Sequence, residues 1–81
     1  MSVDAMLPPT PRQREFLALT AIGYGHKQIA HECNVSIWTV KATLDNARDR
    51  LCAGTLPQAV MKAIVFGYIL VDAEAEMAVA N

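Results

Sequence analysis

Residues 34–51, "NVSIWTVKATLDNARDRL", hold the side chains best suited to chemistry, and their chemistry is binding. Thr39, Lys41, Arg48 and Arg50 are donors that suit phosphate oxygens or the edges of bases. Asp45 and Asp49, four residues apart, place two acids one helical turn from each other. A carboxylate near base edges can accept a bond from the N4 amino group of cytosine, whereas near phosphate it costs affinity. Trp38 is open to three readings: packing on the domain's own surface, contact with a thymine methyl, or anchoring a protein partner.

Other chemistries find less support. His26, His31, Cys33 and Cys52 are metal-ligand types, but they lack the close ligand pairs of a structural zinc site. No phosphate-cradling glycine loop and no nucleophile motif is present, and Asp45 with Asp49 fits a solvated helix face better than an acid–base pair. The sequence calls for neither an enzyme nor a cofactor.

With 81 residues, the chain is close to the smallest size that folds without metal, disulfide or partner. It is 53% hydrophobic and 19% charged, so it is expected to fold, with apolar surface left over for a partner. The net charge of −1 argues weakly against a nonspecific polyanion binder, and residues 10–52 hold six basic side chains against four acidic ones. Two cysteines outside any CxxC pair make no disulfide framework. The run "AIVFGYILV" is too short to span a bilayer, and the missing export signal makes the cytoplasm the expected location.

The elements that must position these groups read as helices, because nothing between residues 16 and 69 alternates like a strand. Pro8, Pro9 and Pro11 predict a flexible arm over residues 1–9. Thr10 and Gln13 then form a capping box with Pro11 in the first turn, opening a helix whose inward face is Phe16, Leu17, Thr20 and Ala21. Gly23 and Gly25 end it. A second helix over 26–33 turns Ile29, Ala30 and Cys33 inward, and Asn34 suits a left-handed residue leading to Ser36, the cap of a third helix.

On that third helix Val40, Leu44, Ala47 and Leu51 make one buried stripe. Trp38, Ala42, Asp45 and Asp49 then point outward, flanked by Thr39 and Lys41. Two helices with so tight a turn have a helix-turn-helix layout. A fourth helix opens at Thr55 and Gln58, a second expected capping box. Its expected core stripe is Val60, Ala63, Ile64 and Gly67; Met61, Val65 and Tyr68 form a second apolar stripe suited to a seam with another chain. Residues 10–70 thus make one domain, followed by an acidic, alanine-rich tail over 71–81.

Four motifs now stand at fixed spacing: "TPRQREFLAL" (10–19), "GYGHKQIA" (23–30), "VSIWTVK" (35–41) and "QAV" (58–60). Together they resemble the LuxR-type (GerE-like) helix-turn-helix domain without a gap. The resemblance implies an all-α, four-helix domain whose third helix enters the major groove of double-stranded DNA and whose fourth helix forms a homodimer. It places Thr39, Val40 and Lys41 on the segment that meets DNA and Lys27 on the backbone. Trp38, Ala42 and Asp45 join the expected contact set from their place on the outward face. Glu15 matches an acid of the first helix, where a structural carboxylate bonded to the third helix or its neighbours is expected. No receiver or ligand-binding segment precedes residue 10, as in stand-alone members, so regulation is expected from abundance or a partner.

Departures from the pattern point the other way. Thr43 stands where histidine is common, Leu44 where a polar or basic residue is usual, Asp49 where a basic residue is common, and Leu56 where arginine is frequent. Arg48 and Arg50 are expected to pair with Asp45 or Glu32 rather than read bases, since only the first turns of such a helix lie deep in the groove. The first expectation is therefore a sequence-specific, homodimeric transcriptional regulator. The alternative is a protein-interaction module that antagonises another regulator and binds DNA weakly or not at all.

Overall fold

A computed structural model of the chain describes residues 6–71. They form α1 (Pro11–Ala21), α2 (His26–Cys33), α3 (Ile37–Arg50) and α4 (Leu56–Val65), with no strand among the described residues. The fold is all-α. The core joins Phe16 and Leu17 of α1, Ile29 and Ala30 of α2, Val40, Leu44 and Ala47 of α3, then Leu51, Ala59, Ala63 and Ile69. α3 lies at the centre and packs against each of the other three helices. The stripe Val40, Leu44, Ala47 and Leu51 is buried as its spacing predicts.

The helix starts follow the capping residues. Thr10 Oγ1 accepts from Gln13 N–H at 3.2 Å while Gln13 Oε1 accepts from Thr10 N–H at 3.0 Å, which closes the predicted capping box. Gln13 is itself buried, so this box is locked from outside. Ser36 Oγ caps α3 by accepting from Thr39 N–H at 3.0 Å. Thr55 caps α4 through Gln58 N–H, but the second box is only half made. Gln58 Oε1 accepts from Gly54 N–H at 2.8 Å instead of the Thr55 amide, fastening the loop ahead of the helix.

All four helices end alike. Gly23, Asn34, Cys52 and Gly67 take positive φ values of 104°, 55°, 53° and 77°. Each is followed by a residue whose N–H bonds back to the last turn: Tyr24 to Leu19, Val35 to Ala30, Ala53 to Arg48, and Tyr68 to Ala63. Cys52 is the costly member, because a side chain disfavours the left-handed region. Lys62 supports that end, its Nζ donating to the carbonyls of Leu51 at 3.1 Å and Cys52 at 2.8 Å. A positive charge there also suits the negative end of the α3 dipole.

The stripes of α4 differ from expectation. The buried face is Ala59 and Ala63, with Leu56 and Val60 packed beside them, while Ile64 is 40% exposed. Gly67 lies past the helix in the closing turn and contributes no core contact of its own. Small alanines face inward because α4 approaches its neighbours closely, and bulkier Ile64 rotates outward with Met61 and Val65. Tyr68 also lies beyond α4. It is half-buried, with the Arg14 guanidinium 5.3 Å from its ring centre.

The described end of the N-terminal arm is tied down. Leu7 N–H donates to Arg50 O at 2.8 Å, Arg50 Nε donates to Pro8 O at 2.8 Å, and Arg14 Nε donates to Pro9 O at 3.1 Å. Pro9 is buried. Residues 6–9 thus form a strap over the end of α3, which proline's poor helix propensity alone could not reveal. The expected tail falls outside the described residues apart from Val71.

Candidate nucleic-acid interface

The turn between α2 and α3 sets the site. Asn34 in the left-handed conformation ends α2, and two residues later Ser36, extended, begins the turn into α3. Two helices joined this tightly, the second presenting exposed Trp38 and Lys41 in its opening turns, define a helix-turn-helix.

Residue by residue, the surface of α3 sorts as follows. Trp38 is 77% exposed and does not pack into the domain's core. Lys41 is exposed and has no ion pair among the described residues, so its ammonium is available to an external anion. Thr39 is half-buried and its hydroxyl accepts from Ser36 Oγ at 2.9 Å, which ties it to the cap. Ala42 is half-buried. Lys27 is exposed on the first turn of α2.

Val40 requires a correction. It is fully buried, so it seats α3 against the core and has no surface to offer a ligand. Leu44 likewise is 2% exposed; its apolar character serves the core and removes no charge from the outer face. Glu15 does not reach α3. Its carboxylate pairs with Arg12 of its own helix at 2.8 Å, one turn away.

The acids of α3 are exposed, Asp45 with a side chain 68% accessible. Arg48 approaches Asp45 at 3.7 Å, as the spacing predicts, but Arg50 turns to the Pro8 carbonyl instead of an acid. Beside this pair lies a cleft of about 210 Å³ lined by His26, Lys41, Leu44, Asp45, Arg48 and Leu56. Sequence reasoning missed His26 as a neighbour of the α3 surface. Only the packing of the first turn of α2 across α3 brings it there, and no spacing rule links residue 26 to residue 45. No group of three or more candidate metal ligands occurs among the described residues.

A second, apolar groove of about 280 Å³ runs between the end of α1 and the start of α4, lined by Thr20, Ala21, Leu56, Pro57, Val60, Met61 and Ile64. Beside it Met61, Ile64 and Val65 stand exposed at helical spacing, 59%, 40% and 69% accessible. Of the predicted seam, Met61 and Val65 share this face. Tyr68 does not continue it, because the helix ends at Val65.

The architecture places the chain among helix-turn-helix domains. The family described as bacterial regulatory proteins, luxR family (GerE), matches residues 9–63, and the chain belongs to this family. Its helix-turn-helix is accordingly of the DNA-binding, regulatory kind. Comparison with curated proteins gives no match. Among the described residues no helix is long and apolar enough to cross a membrane.

Proposed function

We propose that the protein is a sequence-specific transcriptional regulator that binds double-stranded DNA as a homodimer, with α3 in the major groove. The observation that carries this reading is the α3 surface: Ser36 caps the helix, and Trp38, Lys41 and Asp45 stand exposed along its outer side. Lys41 supplies phosphate or base contact, and Lys27 on the neighbouring helix supplies a backbone contact. Thr39 holds the first turn in shape, and Ala42 keeps the groove-facing surface low enough for close approach. Val40 and Leu44 fix the depth at which α3 sits in the domain.

Two copies are needed for useful specificity. A single small domain makes few phosphate contacts, whereas a symmetric pair reads two half-sites one duplex turn, about 34 Å, apart. The exposed face of Met61, Ile64 and Val65 is the surface on which such a pair would form.

The second reading is an antagonist that engages another regulator by the Trp38 surface or the α4 face. Trp38's exposure favours it, since an outward tryptophan suits a protein anchor as well as a base. Selection from random duplex DNA at low salt separates the two. Enrichment of a two-fold-symmetric motif is the result expected; enrichment of no motif would leave the antagonist reading in its place.

A further inference from the structure

We infer that Asp45 is a specificity-determining residue that selects cytosine at one position of each half-site; this deepens the DNA-binding reading above and rests on it. The starting point is an imbalance on the α3 surface. Asp45 stands 68% exposed on the helix that would enter the groove, four residues beyond Lys41 on nearly the same line of the helix. Its approach to Arg48 is 3.7 Å, longer than a hydrogen bond, so the carboxylate oxygens keep their capacity for an outside donor. Both members of that pair are accessible to solvent, and a pair of this kind holds its partners weakly. The carboxylate is thus present and unspent.

What such a group can bind in a duplex is narrow, because an ionised carboxylate only accepts. Phosphates repel it. In the major groove the edge of guanine shows two acceptors, O6 and N7, and thymine shows an acceptor and a methyl group. Adenine offers its N6 amino group beside the N7 acceptor, which opposes the second carboxylate oxygen. Cytosine presents an amino donor and no acceptor of its own, the neighbouring O6 belonging to its paired guanine. A carboxylate at this place therefore favours cytosine by attraction and disfavours the other three bases by repulsion, which is how discrimination is most sharply made.

The surroundings let an acid stand here without driving the whole domain off the duplex. His26 of α2, with Lys41 and Arg48 of α3, lines the same cleft, so two cationic side chains stand beside the carboxylate. They offset its repulsion of nearby phosphates while leaving its outer oxygens free. Lys41, one turn earlier, supplies a phosphate contact, so the surface combines a charge that positions the helix with an acceptor that reads a base.

The test is selection from random duplex DNA by the full chain in three forms: wild type, Asp45→Ala and Asp45→Asn. Circular dichroism first checks that the helical signal is equal in all three, as expected for a position so exposed. The wild type should enrich cytosine at one position per half-site. Asp45→Ala should lose discrimination there by roughly tenfold, the scale of one base contact. Asp45→Asn should shift that position toward adenine, whose N6 and N7 suit an amide. Identical motifs from all three proteins would overturn the inference while leaving DNA binding intact, as would a uniform gain in affinity by Asp45→Ala with no change in base preference. No motif from the wild type would overturn the DNA-binding reading itself.

Discussion

Lys41 and Trp38 are both exposed on α3 and do different work in this account. Lys41→Ala should weaken duplex binding without loss of stability and should lower the salt dependence by about one unit of slope, the signature of one phosphate contact released. Titrations across a salt series check this, and an unchanged slope would remove Lys41 from the interface. The exposure of Trp38, Lys41 and Asp45 was legible in the sequence, because fixing Val40, Leu44, Ala47 and Leu51 inward fixes the opposite side of a helix. Other residues were legible in type and not in partner. Glu15 and Arg50 bind Arg12 and the Pro8 carbonyl, choices that depend on rotamers and on a strap folding back over 42 residues of separation. Val40 shows a conflict between two kinds of reading: the motif placed it at DNA, the periodicity placed it in the core, and the periodicity described the geometry.

At the scale of elements, helix starts were easier to read than helix ends. Thr10, Ser36 and Thr55 announce caps because a side-chain oxygen must meet free N–H groups of the first turn. Gly23 and Asn34 announce left-handed ends for the same kind of reason. Cys52 gives no such signal, since cysteine has no preference for that conformation; the position is imposed by the close of α3 and by Lys62 gripping its carbonyl. Cys52→Gly should therefore relieve backbone strain and stabilise the domain by about 1 kcal/mol. Thermal unfolding would show a higher Tm, and a lower one would mean that the half-buried thiol contributes more packing than its backbone costs. The face of α4 was read correctly at Ala63 and at Val60, which packs against the core, and misread at Ile64, because a hydrophobicity pattern ranks isoleucine above alanine for burial while close helix packing here favours Ala59.

For the whole molecule, a small core and an apolar surface belong to one explanation. Among the described residues eleven buried hydrophobics make the core, yet Met61 and Ile64, which line an apolar groove, and Val65 remain exposed. Pairing through this face would extend a core that is modest for one chain. Val65→Glu puts a charge on that face and, at 69% exposure, leaves the core untouched. It should give folded monomers with sharply reduced affinity for a duplex bearing two half-sites. If the variant sediments as a dimer, the pairing surface lies elsewhere. The most direct measurement of the central claim is sedimentation of the wild-type chain mixed with its selected duplex at low salt. Two chains should travel with each duplex, held by the two α3 surfaces, whereas protein that sediments entirely apart from the DNA would contradict the account.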